Sequence, residues 1–271
     1  MYYYINRMAM NQSDGSKITI FHLYRKDGRA LFLHPFDDAE VVLSLDKMKE
    51  ICGKYGQEPR VESLTLFRDD LHQAVDSAVL SWIQDRRFIP NLFYSAGVFL
   101  ALYFIFSFGI RDPILMVDEL ILAVAGTAGF YWYRLRRDRA RPQAVNLTDK
   151  LKTMVDKIEF REDSFVKEVE GLLHRFESIS GERLLESMMA SEEGSFSSSD
   201  LEDAQQLLSY LEKRFSGKIY RQQEKIIDQY SSTAKTSRSL NTLLSLVDMG
   251  KIDISLFMTY KTIKKECREM V

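Results

Sequence analysis

Four histidines, His22, His34, His72 and His174, are the residues of this 271-residue chain best suited to metal binding or proton transfer. None lies three to five residues from another, so the spacing that places two imidazoles on one helix face to share a metal is missing. His34 precedes Pro35, Asp37 and Asp38 and reads as a solvated turn rather than a ligand set. His174, beside Arg175 in a helical stretch, reads as a surface or groove residue. No phosphate loop of the form GxxxxGK followed by Ser or Thr occurs, and neither does GxGxxG or a GxSxG nucleophile elbow. Cys52 and Cys267 stand too far apart for a CxxC metal or redox motif, and both suit a compartment where thiols stay reduced. These residues predict no catalytic group, no metal ligand and no cofactor.

The charged side chains point to a different chemistry. Arg86 and Arg87 precede a stretch, residues 88–110, with no Asp, Glu, Lys, Arg or His. Arg134, Arg136, Arg137, Arg139 and Arg141 follow a second apolar stretch, residues 113–133, directly after Tyr131, Trp132 and Tyr133. Some 20 apolar helical residues span a hydrocarbon core of about 30 Å. Arginines at the ends of such spans mark the cytoplasmic side, and aromatic residues gather at the interface. The arrangement predicts two transmembrane helices, both termini in the cytoplasm and a tight outer turn around Arg111 and Asp112. The arginine run needs no nucleic acid to explain it. Attraction to anionic lipid headgroups follows naturally, at about 1 kcal/mol per exposed cation near the surface.

Asp118 and Glu119 are the two acids within the second stretch. Acids at membrane depth are candidates for ion pathways. Several copies in an oligomer could form an acidic ring at the outer mouth of a cation path. In the simpler case the span begins at Leu120 and both acids lie in the outer loop. Gly97 with Ala101, and Ala125 with Gly129, are small-xxx-small pairs suited to close helix–helix packing.

Before the first span, residues 18–24 alternate as a strand, Lys26-Asp27-Gly28-Arg29 makes a hairpin turn, and residues 30–34 return. Ser44 is placed to cap a short helix carrying Leu45, Met48, Ile51 and Cys52. Residues 61–67 read as a third strand. Leu71, Ala74, Val75, Ala78, Val79, Trp82 and Ile83 then form a helical stripe, with Pro90 at the membrane entry. After the arginines, residues 147–158, 165–176, 201–215, 240–249 and 254–267 carry helical stripes. Residues 191–199, rich in serine, read as a loop.

The expected architecture is an integral membrane helical hairpin with cytoplasmic domains on both flanks. Residues 1–16 form a disordered start and residues 17–87 a small α+β domain. Residues 88–133 are the hairpin, with spans at 88–110 and 113–133. Residues 134–146 form a basic juxtamembrane linker and residues 147–271 a mainly α-helical domain with coiled-coil-like stripes. The formal net charge of −2 resembles that of a soluble protein. It divides into −1 over residues 1–87, +2 over 88–141 and −3 over 142–271. No cleavable signal peptide is visible, and a bacterial inner membrane is the expected setting. The leading expectation is a non-catalytic scaffold or regulator that presents residues 147–271 to a protein partner or to itself. A cation channel or transporter subunit with Asp118 and Glu119 at the mouth is the rival. A membrane-tethered enzyme is a weaker third.

Overall fold

The computed structural model describes residues 17–109, 117–179, 201–221, 224, 245, 247 and 249–269. The expected disordered start, the outer turn, the serine-rich loop and most of the stripe at 240–249 lie outside the described residues. The chain divides into two compact units. The first comprises residues 1–35, 48–67 and 158–271, and the second residues 36–47 and 68–157.

The first unit is built on a four-stranded sheet. Strand β1 (Lys17–Tyr24) pairs antiparallel with β2 (Ala30–Leu33), as the Asp27-Gly28 turn predicts. The loop is closed by Arg25 N–H to Arg29 O at 3.0 Å and Gly28 N–H to Arg25 O at 2.9 Å. Gly28 has φ +85°, the left-handed conformation that makes glycine the residue of choice there. Strand β3 (Glu50–Tyr55) lies parallel to the other edge of β1, and β4 (Glu159–Glu162) lies parallel to β3, giving the order β2-β1-β3-β4. Gly53 permits this last pairing to be close, since a Cβ there would fall 2.4 Å from the Phe160 ring.

The strand at residues 50–55 replaces the expected helix over Leu45–Cys52. Only the short helix α1 (Ala39–Leu43), capped by Asp38, and a 3-10 turn at Leu45–Lys47 precede it. Pairing with β1 outweighs the weak helical stripe, because Ile51 and Cys52 fit a pleated surface between two strands. The expected strand at residues 61–67 is likewise the start of a helix, α2 (Val61–Gly109). Its alternating pattern over seven residues is short. The buried positions Phe67, Leu71, Val75, Ala78, Val79 and Ile83 extend one helical stripe back to its beginning.

Three helices supply the first unit's core: α5 (Ser164–Glu177), α6 (Leu201–Phe215) and α7 (Ile254–Glu269). Phe21, Leu23 and Leu33 of the sheet cluster with Phe165, Val169 and Leu173 of α5, Leu207 and Leu211 of α6, and Leu256 and Ile263 of α7. Ion pairs tie the ends. Lys54 Nζ bonds Asp163 Oδ2 at 2.8 Å and also Asp203, so β3 holds the N-terminal ends of α5 and α6. Arg25 Nε bonds Glu177 at 2.6 Å and its terminal nitrogens bond Asp253, which caps α7 through Leu256 N–H. His174 proves to be a tether. Its Nε2 lies 2.7 Å from Tyr24 O, and Glu170 accepts Tyr24 N–H at 2.8 Å, so one turn of α5 completes the end of β1.

In the second unit, α2 is followed by α3 (Val117–Arg139) and α4 (Pro142–Asp156). The expected linker at residues 134–146 is therefore helical apart from a break at residues 140–141. Helix α2, at 49 residues, is about 74 Å long at 1.5 Å per residue. It runs unbroken through Pro90, which removes the bond to the Arg86 carbonyl without ending the helix.

Candidate functional site

The side chains of α2 meet its successors in descending order. His72 pairs with Asp156 at 3.0 Å and Asp76 with Lys152 at 2.8 Å. Further along, Asn91 Nδ2 donates to Asp138 Oδ2 at 3.0 Å, Arg134 stacks over the Tyr94 ring at 4.5 Å, and Leu102 packs against Gly126. Helices α4 and α3 thus return antiparallel along α2. Two surfaces of interest result.

The first surface is apolar and uncovered. On α2, Phe88, Ile89, Leu92, Phe93, Leu100, Phe104, Ile105 and Phe108 are all more than half exposed. In the most apolar 18-residue window of this helix, 6% is buried inside the molecule. A core helix of a soluble protein would be covered, so the length and composition suit a membrane crossing. Among the described residues, α2 is the one helix long and apolar enough for this. On α3, Ile121 (59%), Val124 (53%), Trp132 (63%) and Tyr133 (58%) are exposed and Tyr131 is at 39%. Its uncharged part, residues 120–133, is about 21 Å long at 1.5 Å per residue, bounded by Glu119 and Arg134.

The second surface is a collar of arginines where the uncharged stretches end. Arg86 lies over the Trp82 ring at 4.8 Å and Arg136 over Trp132 at 5.3 Å. Arg134 approaches Asn91 Oδ1 at 3.4 Å. Asn91 and Asp138 are each 3% exposed, so this polar pair is buried between α2 and α3. Asp138 Oδ1 also accepts from Arg141 Nε at 2.7 Å. A cavity of about 290 Å³ opens beside this network, lined by Trp82, Ile83, Arg86, Arg87, Asp138, Arg141, Gln143 and Ala144. The arginines at 86, 87 and 141, separated in sequence, are brought together there. Arg137 and Arg139 occupy the last turn of α3 outside the cavity lining.

Sequence reasoning did not single out Asn91, Asp138 or Gln143. A signal existed for the first two: an amide one residue after a proline at the start of an uncharged stretch, and a lone acid among five arginines. Of the small residues, a Cβ at Gly97 or Gly129 would meet nothing within 4 Å, whereas one at Gly126 would lie 2.6 Å from Leu102 Cδ1. The backbone of Asp118 and Glu119 lies at the start of α3, and their side chains lie outside the described residues. Among the described residues no group of three or more His, Cys, Asp or Glu could hold a metal ion.

In the first unit, His22 is fully buried, and neither ring nitrogen has a hydrogen-bond partner at normal geometry. Its ring lies 4.9 Å from Phe32, which stacks on Phe67 at 4.2 Å. Burial lowers its pKa to about 4, with the Gln57 backbone acting in the opposite direction. Such an environment disfavours the charged imidazolium and leaves the ring a packing group at neutral pH.

No protein-family model, curated protein or solved structure matches the chain.

Proposed function

We propose that the protein is a membrane-anchored, non-catalytic scaffold or regulator. Helices α2 and α3 form a two-span hairpin, and the sheet-and-helix unit is presented in the cytoplasm to a protein partner or a second copy. The uncovered apolar length of α2 supports the anchor. The observation that carries the hairpin is the composition of the first unit. Its sheet and core draw on residues before α2 and after α4. A folded sheet is not threaded by a bilayer, which favours an even number of crossings between β3 and β4. If α2 crosses once, α3 is the segment available to return. Arginines flanking both spans on the same side favour the cytoplasm for both termini.

Alkaline extraction of membranes from cells making the full chain tests the anchor. Retention in the pellet is expected, and release to the supernatant overturns the reading. Protease added to the outer face should leave both flanks intact, and cleavage of either flank from that side refutes the topology. Mild-detergent purification should then yield one stable complex with a partner. A ring-shaped homo-oligomer whose cation flux is lost in Asp118→Asn, Glu119→Gln protein would favour transport instead.

A further inference from the structure

We propose that the cavity between α2 and the α3–α4 junction binds the phosphate of an anionic phospholipid headgroup. The proposal rests on the reading that the uncharged part of α2 lies in a bilayer. The cavity, about 290 Å³, suits a headgroup rather than a whole lipid. Its lining includes three arginines, Arg86, Arg87 and Arg141, and one acidic residue, Asp138. Both carboxylate oxygens are engaged, one by Asn91 and one by Arg141 Nε. Asp138 therefore acts as a positioning residue: it orients Arg141 and leaves the two terminal nitrogens of that guanidinium for an anion. Neither Arg86 nor Arg87 has an acidic partner among the described residues. Planar guanidinium forks match phosphate oxygens in pairs, and three arginines lining one cavity set it apart from a diffuse charged face.

Gln143 and Ala144 add the first turn of α4. There Pro142 has no amide hydrogen, and the Ala144 and Val145 amides return to Arg141 O at 3.0 Å each. Placement selects a lipid over free phosphate. Arg87 is followed at once by Phe88, Ile89 and Leu92, all more than half exposed. A phosphate at the cavity would leave its acyl chains lying along that apolar surface. Basic pockets beside membrane helices on the cytoplasmic side recognise headgroups in this way.

Trp82 lines the cavity and reports on it, because Trp132 is the other tryptophan of two. Full-length protein carrying Trp132→Phe, in neutral detergent, is titrated with mixed micelles containing phosphatidylglycerol, with phosphatidylcholine micelles and with inorganic phosphate. A saturable change in Trp82 fluorescence with phosphatidylglycerol is expected. Arg86→Gln, Arg87→Gln protein should bind on the order of tenfold more weakly. At an ionic strength high enough to screen diffuse surface attraction, Arg137→Gln, Arg139→Gln protein, which loses the same charge outside the cavity, should stay within about twofold. Equal loss in both double variants, equal response to phosphatidylcholine, or inorganic phosphate binding as tightly as phosphatidylglycerol overturns the proposal. Detergent titration does not require insertion, whereas alkaline extraction does, so failure of the headgroup site and failure of the anchor are read separately.

Discussion

At the scale of single residues, the chain places its polar groups where one partner serves two elements. Lys54 joins Asp163 and Asp203, Arg25 joins Glu177 and Asp253, and Asp138 joins Asn91 and Arg141. His22 is the exception, buried among aromatic rings with neither ring nitrogen in a well-formed hydrogen bond among the described residues. Its pKa falls from 6.5 to about 4 on folding. Between those values the unfolded chain takes up a proton that the folded chain refuses. Stability from this group is therefore complete above about pH 6.5 and declines as pH falls toward 4, by up to about 3 kcal/mol. His22→Phe protein has no such proton to bind. Its thermal midpoint in detergent should gain on the wild type between pH 7.5 and pH 4.5, and a gap that stays constant with pH would contradict the assignment. Apart from Asp138–Arg141, three residues apart, none of these pairings was legible from spacing, because each joins residues distant in sequence. The aromatic and arginine clusters at residues 131–141 were legible, because there sequence neighbours share one helix end.

At the scale of elements, local signals succeeded where a turn or a long stripe dominates. Asp27-Gly28 predicts the β1–β2 hairpin, and residues 88–110 predict a helix that leaves its apolar surface bare. They failed where tertiary pairing decides. Residues 50–55 carry a weak helical stripe yet pair with β1. Residues 159–162, Glu-Phe-Arg-Glu, have a single apolar side chain and still form β4, because parallel pairing to β3 needs backbone more than side chains. Gly97, Ala101, Ala125 and Gly129 were expected to pack α2 on α3, or one pair of them to join a second copy; of the glycines, a Cβ would crowd its neighbour at Gly126 and not at Gly97 or Gly129. Gly126→Leu should displace Leu102 and destabilise the pair by about 1–3 kcal/mol. Gly129→Ala should shift stability by no more than about 1 kcal/mol, in the favourable direction for a helix interior. Thermal melts of both variants in detergent measure the contrast. A larger loss for Gly129→Ala than for Gly126→Leu would place the tight contact elsewhere.

At the scale of the whole molecule, the decisive fact is that one compact unit owns both flanks of the helix pair. Sequence reading divided residues 17–87 from 147–271, since composition changes at the apolar stretch and long-range pairing leaves no mark on composition. Helices α5, α6 and α7 bury Val169, Leu173, Leu207, Leu211 and Ile263 in a cluster that includes Phe21, Leu23 and Leu33 of β1 and β2. A fragment of residues 142–271 should therefore aggregate or show unprotected amides in hydrogen exchange. Supplying residues 17–67 in trans should restore protection to α5. A well-protected fragment on its own would show that the C-terminal helices form an autonomous core.

The parallel pairing of β3 with β4 also sets an order of events during synthesis. Cys52 waits for Glu159, its register partner, and about a hundred residues must be made in between. At 5–20 residues per second that interval is on the order of ten seconds. Throughout it, one edge of β3 offers unpaired backbone groups, the kind of edge that invites pairing with another chain. Helices α2, α3 and α4 all leave the ribosome during this interval, so under the proposed topology the hairpin can be inserted before the sheet is closed. The last strand would then act as a latch, shutting the sheet only on chains whose intervening segment has already returned to the side from which it left.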